Sequence, residues 1–258
     1  MLQQTPVVRV LPVWQAWVKR WPTPADLAAA PAGEAIRDWG RLGYPRRALR
    51  LHEAAKAIVE RHGGVVPSDH AQLLELPGIG TYTAAAVASF AFGQRHAVVD
   101  TNVRRVFARS VTGTAQAAPA LTVAESRLAA ELLPDAPLRA AKWGVAVMEL
   151  GALICTARAP RCDVCPIRSQ CQWQLDGAPP YTGPARRGQA WSGTDRQIRG
   201  AILAVLRKAS HPVDAATLAD EVPDSALRDP YQRARCLDAV VSDGLVEPLA
   251  NERYQLPS

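Results

Sequence analysis

No apolar run in the 258 residues reaches the length of a membrane span, and no charged-then-apolar leader opens the chain, so neither a membrane helix nor a secretory signal is expected. Alternating β-branched stretches are scarce, which excludes an extensive β fold. Disorder is excluded as well, because 48% of the residues are hydrophobic. Acidic residues are in deficit, 24 against 30 Lys and Arg, and the resulting +6 suits a polyanionic partner without proving one. Cysteine is sparse too, five in all. The expectation is a cytoplasmic protein, where closely spaced thiols ligate metal more often than they form disulfides. What remains is an Ala-rich chain, large enough for one large or two ordinary domains and mainly helical.

Residues 76–100 read LPGIGTYTAAAVASFAFGQRHAVVD. Leu73, Leu74 and Leu76 close one apolar segment, Gly78 and Gly80 frame a tight turn, and residues 81–92 form a helical run. Such a turn leaves bare N–H groups at a helix start, where the macrodipole favours an anion such as phosphate. An ordinary helix–turn–helix corner is the plain alternative. Asp100 precedes the run 101–111 and is a ready N-cap.

Cys155, Cys162, Cys165 and Cys171 are separated by six, two and five residues. Four thiols in a 17-residue loop point to zinc or an iron–sulfur cluster, and structural zinc more often shows two CxxC pairs where this loop has one. Arg158 and Arg161 lie between the first two cysteines, where they could meet phosphates. Cys236 stands apart on an apolar helical face and is expected in a core.

The rest of the chain carries less chemistry. Helical periodicity covers 1–18, 25–39, 54–62, 122–132 and 143–154, the last delivering Cys155. Arg46, Arg47, Arg50 and His52 form a basic stripe, solvated or phosphate-facing, and Arg104, Arg105 and Arg109 a second cluster. Residues 176–194, with Arg186 and Arg187, read as a linker. Beyond it, helices over 195–209, 215–221 and 227–243 and a ribbon pairing 244–247 with 253–256 suggest a winged helix. Its third helix would present Arg228, Arg233 and Arg235 to DNA, unless the module serves packing or a partner.

The hairpin with VVDTNVRRV after it, together with the six-two-five cysteine loop, resembles the helix-hairpin-helix endonuclease III superfamily; MLQQTPV at residues 1–7 and RLGY at 41–44 resemble its MutY-type adenine DNA glycosylases, over about 1–176. The resemblance implies a helix-hairpin-helix glycosylase fold with a [4Fe–4S] loop. The implied domains are a six-helix module at 1–93, its first helix missing or shortened, a cluster-bearing module at 94–176, a linker at 177–194 and a winged-helix-like module at 195–258. It implies Asp100 as the catalytic carboxylate and the four cysteines as cluster ligands. Gly78 and Gly80 would hold DNA phosphate, with Arg104, Arg158 and Arg161 as further DNA contacts. Gln4 and Tyr44 would act as wedges beside the extruded base. Tyr82 stands where bifunctional relatives carry a Schiff-base lysine; a phenol forms no imine, so base removal without strand cleavage is implied.

The activity implied is monofunctional base excision, the partner double-stranded DNA with adenine opposite 8-oxoguanine or guanine, and the setting a monomer at the nucleoid. The family's essential glutamate precedes the position of Met1 by two residues, and residues 1–6 offer no substitute acid. Either the true start lies upstream or this form is catalytically impaired. A lesion binder that does not cut and a winged-helix iron–sulfur regulator are the alternatives.

Overall fold

Runs of Ala, Leu and Val broken by Pro and Gly give a chain of helices. The computed structural model describes residues 1–2, 5–184, 191–222 and 227–258. In chain order the helices are α1 (Val7–Arg20), α2 (Pro24–Ala29), α3 (Ala32–Trp39), α4 (Arg46–His62), α5 (His70–Leu74), α6 (Thr81–Phe90), α7 (Thr101–Ser110), α8 (Val123–Glu131), α9 (Pro137–Glu149), α10 (Gln172–Leu175), α11 (Asp195–Lys208), α12 (Ala215–Glu221) and α13 (Gln232–Ser242). Strands β1 (Val213–Asp214), β2 (Glu247–Leu249) and β3 (Arg253–Gln255) make an antiparallel sheet of order β1-β3-β2.

The expected run 25–39 divides in two at Ala30-Pro31, since the residue before a proline avoids helical angles. The helix expected at 54–62 begins eight residues earlier, after Pro45. At the first helix, Pro6 is the N-cap and no side chain caps it.

Packing gathers these elements into two units: 1–66, 76–78 and 187–258 in one, 67–75 and 79–186 in the other. In the first unit, both ends of the chain contribute to a shared core. Ile36 and Trp39 from α3 and Ala48 from α4 share it with Ile198, Ile202 and Leu206 from α11, Val240 from α13 and Leu245. Two arginines exchange places at its rim. Arg37, in the last turn of α3, donates to the Arg207 and Ala209 carbonyls that end α11, while Arg207 Nε donates to Ile36 O at 3.1 Å near the end of α3. Each helix thus satisfies the other's orphan carbonyls. Burial lowers the Arg207 pKa to about 10. Gly33 seats the C-terminal segment, its N–H donating to Pro257 O at 2.6 Å; a Cβ there would stand 2.4 Å from that oxygen.

The C-terminal elements run helix, strand, helix, helix, strand, strand, which is the winged-helix order. Strand β1 was not foreseen; two residues are too short for a periodicity signal. Cys236 is buried in the shared core as expected, and burial, then Asp195, pushes its thiol up to about 11.

In the second unit, Val103, Val106 and Phe107 of α7 pack with Ala129 of α8 and Val147 of α9. Helix α9 runs on through a π-turn, Leu150–Ile154, and stops at Cys155. Such turns recur at functional sites. Among the described residues, no helix is long and apolar enough to cross a membrane.

Candidate active site and metal centre

Helix α7 carries the candidate chemistry at both ends. At its start, Asp100 is the N-cap: one carboxylate oxygen accepts from Val103 N–H at 2.7 Å and the other from the Asn102 side-chain amide at 2.8 Å. The cap satisfies an orphan helix donor and places the charge at the positive end of the macrodipole. Both carboxylate oxygens are therefore fixed before any substrate arrives.

Asn102 in turn accepts from Arg105 at 2.8 Å, and Arg105 donates to Cys155 O at 2.7 Å and to Gly151 O at 2.5 Å. The π-turn sits flush on α7, because a Cβ on Gly151 would lie 2.7 Å from Asn102 O. Burial lowers the Arg105 pKa, against the pull of Cys155 and Asp100. A continuous chain of bonds thus runs Asp100, Asn102, Arg105, Cys155.

Tyr82, second residue of α6, is half-buried, and its phenol is pushed above its ordinary pKa by burial and then by the charge of Asp100. The sequence-predicted pair of Asp100 and Tyr82 is thereby brought into one electrostatic neighbourhood.

At the far end of α7, Arg109 is 4% exposed. Its guanidinium donates to Cys155 Sγ at 3.4 Å, Thr156 O at 2.8 Å, Ala157 O at 3.2 Å and Ala115 O at 3.0 Å. All four expected cysteines line one cavity with it. Burial, then the neighbouring thiols of Cys155, Cys165 and Cys171, pushes the Cys162 thiol up, with Arg109 opposing. Holding four such neighbours together as thiolates would take more positive charge than Arg109 alone carries, a charge that a metal group would supply. Among the described residues, no group of three or more His, Cys, Asp or Glu side chains is placed to hold a single metal ion. The four thiols nevertheless line one cavity, a donor set that suits zinc and an iron–sulfur cluster alike.

In the hairpin, Gly78 has φ +73, and a Cβ would stand 2.6 Å from Arg50 Cβ. Gly80 is the N-cap of α6, with no side-chain cap and open space where a Cβ would be. Two separate reasons therefore favour glycine: backbone conformation and close packing at 78, access to the helix start at 80.

Tyr44 adopts φ +48, rare for a bulky residue, and is 57% exposed. The Trp39 indole holds the preceding Gly43 carbonyl at 2.9 Å, and the Arg47 guanidinium lies 5.5 Å from the Tyr44 ring centroid. Strain at an exposed aromatic is a feature of functional loops. Gln4 lies outside the described residues, as do Arg186 and Arg187.

The basic groups divide sharply. Arg158 is exposed, and Arg161 is exposed with one bond to Leu153 O at 2.9 Å. Arg104 faces inward, 10% exposed, with bonds to Glu125, Ala118 O and Ala120 O at 2.7–3.1 Å, so the expected phosphate contact yields to a structural one. The stripe at 46–52 does not form one face either: Arg46 pairs with Asp243, Arg50 packs under Gly78, and His52 is buried with Nε2 on Ala30 O at 2.8 Å.

On α13, Arg233 donates to Val222 O and Arg235 pairs with Asp229 through both carboxylate oxygens. Residues 195–258 contain eight Lys and Arg against ten Asp and Glu, a net −2, which leaves +8 on the remainder of the chain. Charge therefore favours the packing alternative for this module over DNA reading.

Asn102, Arg109, Trp173 and Gln174 were not singled out as site residues from sequence. The one available signal was Arg105 and Arg109 at i and i+4, on the helix that Asp100 begins.

Two family profiles match. The HhH-GPD superfamily base excision DNA repair protein matches residues 1–129, and the iron-sulfur binding domain of endonuclease III residues 155–171. An adenine DNA glycosylase of Mycobacterium tuberculosis (strain CDC 1551 / Oshkosh) is 51% identical over 257 residues, covering 100% of this chain and 83% of that protein. That of Mycolicibacterium smegmatis is 54% identical over 256 residues, covering 99% and 84%, and that of Homo sapiens 43% over 175 residues, covering 67% and 32%. Among solved structures, a thermostable thymine-DNA glycosylase superposes with a TM-score of 0.58 at 31% identity, covering 68% of this chain and 80% of that one. A non-covalent endonuclease III–DNA complex gives 0.58 at 26% identity, covering 67% and 79%. The chain therefore belongs to the HhH-GPD superfamily of base excision DNA repair proteins, among its adenine DNA glycosylases, and holds a [4Fe–4S] cluster.

Proposed function

We propose that the substrate is duplex DNA with adenine opposite 8-oxoguanine or guanine, and that the enzyme hydrolyses the N-glycosidic bond without cutting the strand. The observation that carries this reading is the held carboxylate of Asp100, close enough to Tyr82 for its charge to raise the phenol pKa. As the glycosidic bond breaks, positive charge grows on the sugar. A carboxylate oriented in advance stabilises that charge without reorganising. Tyr82 is neutral at working pH and has no amine, so no imine with the sugar forms and the product is an abasic site in an intact strand.

Cys155, Cys162, Cys165 and Cys171 are the proposed ligands of the cluster, which supplies charge and a rigid loop rather than redox turnover. Gly78 and Gly80 with the α6 N-terminus are the proposed phosphate seat, Arg158 and Arg161 flanking phosphate contacts, and Tyr44 with Gln4 the wedges. Arg104 is left out of the contact set.

The test is excision of adenine from a labelled A:8-oxoguanine duplex by the purified full chain. Strand breaks should appear only after alkali, and borohydride should trap no protein–DNA adduct. Breakage without alkali would refute the monofunctional reading, and tight mismatch binding without adenine release would replace the enzyme reading with the binder.

A further inference from the structure

Helix α10 is four residues long, and two of them, Trp173 and Gln174, line the cavity of the four cysteines. The Gln174 side-chain amide donates to Cys162 Sγ at 3.5 Å, as Arg109 donates to Cys155 Sγ at 3.4 Å. The Trp173 ring is clamped on two sides: its indole N–H donates to Pro179 O at 2.8 Å, and the Arg109 guanidinium lies over the ring, 5.1 Å from its centroid. Two sulfurs thus each carry one N–H donor, and a fixed aromatic plate stands at the cavity wall.

We propose that Gln174 and Trp173 are positioning residues of the cluster: Gln174 sets how readily the cluster gives up an electron, and Trp173 limits the access of dissolved oxidants. The inference rests on the four cysteines being the ligands. An N–H···S bond stabilises negative charge on a thiolate. That charge is larger in the [4Fe–4S]2+ state than in [4Fe–4S]3+, so the bond opposes oxidation. In the relevant step the cluster passes one electron to a one-electron oxidant such as hexacyanoferrate(III), which becomes hexacyanoferrate(II); no bond to carbon or oxygen changes. A fixed indole forming part of the cavity lining keeps water and such ions at a distance, as burial around metal sites commonly does.

The experiment uses the full chain purified without oxygen. Iron is counted first: fewer than four per wild-type chain would sink the ligand reading before the proposal is reached. Among variants that retain four irons, Gln174→Leu removes the donor at similar size. Its oxidised-to-reduced ratio at fixed potential should rise about tenfold, a fall of about 59 mV for a one-electron couple. Gln174→Glu, which replaces the donor with negative charge, should shift it further the same way and serves if the leucine variant loses iron. Trp173→Ala should speed the hexacyanoferrate(III)-driven loss of cluster absorbance several-fold, and Trp173→Phe, which keeps a ring, should restore most of the protection. An unchanged potential in both Gln174 variants would overturn the first half. Wild-type bleaching in Trp173→Ala, or equal bleaching in the Ala and Phe variants, would overturn the second.

Discussion

Replacing Asp100 with Asn and with Ala separates its two jobs, because the cap and the charge fail differently. In Asp100→Asn the side-chain oxygen still accepts from Val103 N–H, so the cap survives. The new amide, however, meets the Asn102 amide donor, and Asn102 cannot turn over without giving up Arg105. One charge-assisted hydrogen bond is lost, about 2 kcal/mol. Asp100→Ala loses that bond and the cap as well, about 3 kcal/mol together. For a chain of this size the melting temperature should fall by about 4–8 °C for Asn and about half as much again for Ala.

Catalysis follows a different order, because both variants remove the same charge. A carboxylate about 4 Å from a developing unit charge, at an effective dielectric constant of about 20, contributes about 4 kcal/mol. That is about three decades in rate. Single-turnover excision on an A:8-oxoguanine duplex should therefore fall about a thousandfold in both, while mismatch affinity, measured by fluorescence anisotropy, stays within a few-fold of wild type. Activity that tracked melting temperature, with the Asn variant near wild type, would show that Asp100 acts only as a cap.

Three further outcomes are expected. In the hairpin, Gly78→Ala combines a strained φ with a Cβ against Arg50 and should destabilise by roughly 1–3 kcal/mol, whereas Gly80→Ala, with φ −96 and free space, should melt like wild type yet weaken DNA binding; denaturant titration and anisotropy check both. Glu125→Gln should cost up to about 3 kcal/mol by unpairing the inward-facing Arg104. Burial resists ionisation of Glu125, but the bonds from Arg104 and Thr122 prevail and hold its pKa below the usual value. That stability is present above about pH 4.3 and lost as pH falls through the lowered folded value, so urea titrations of the two proteins should converge only in acid. Finally, Arg158→Ala with Arg161→Ala should flatten the salt dependence of DNA affinity by about 2 in the log–log slope, while Arg233→Ala with Arg235→Ala should leave the slope unchanged; equal effects would restore a DNA-reading role to α13.

The sequence by itself determined the parts whose signal is local. A Gly-x-Gly turn, an Asp ahead of a helical run and thiols at fixed intervals depend on neighbours a few residues away. The hairpin, the Asp100 cap and the cysteine loop were legible for that reason, and so was the order of the C-terminal helices.

Tertiary structure decided what each long side chain faces. Arginine reaches far enough to serve solvent, a carbonyl or a carboxylate with equal ease, and its sequence neighbours do not say which. Arg104, Arg105 and Arg109 read alike as a basic cluster. In the fold one braces Glu125, one joins Asn102 to the Cys155 carbonyl, and one lies buried against sulfur. The shared core of the chain's two ends was equally hidden, since Ile36 and Ile202 are ordinary apolar positions until the fold brings their helices together. Periodicity shows that a helix has an apolar face; only packing shows which face it meets.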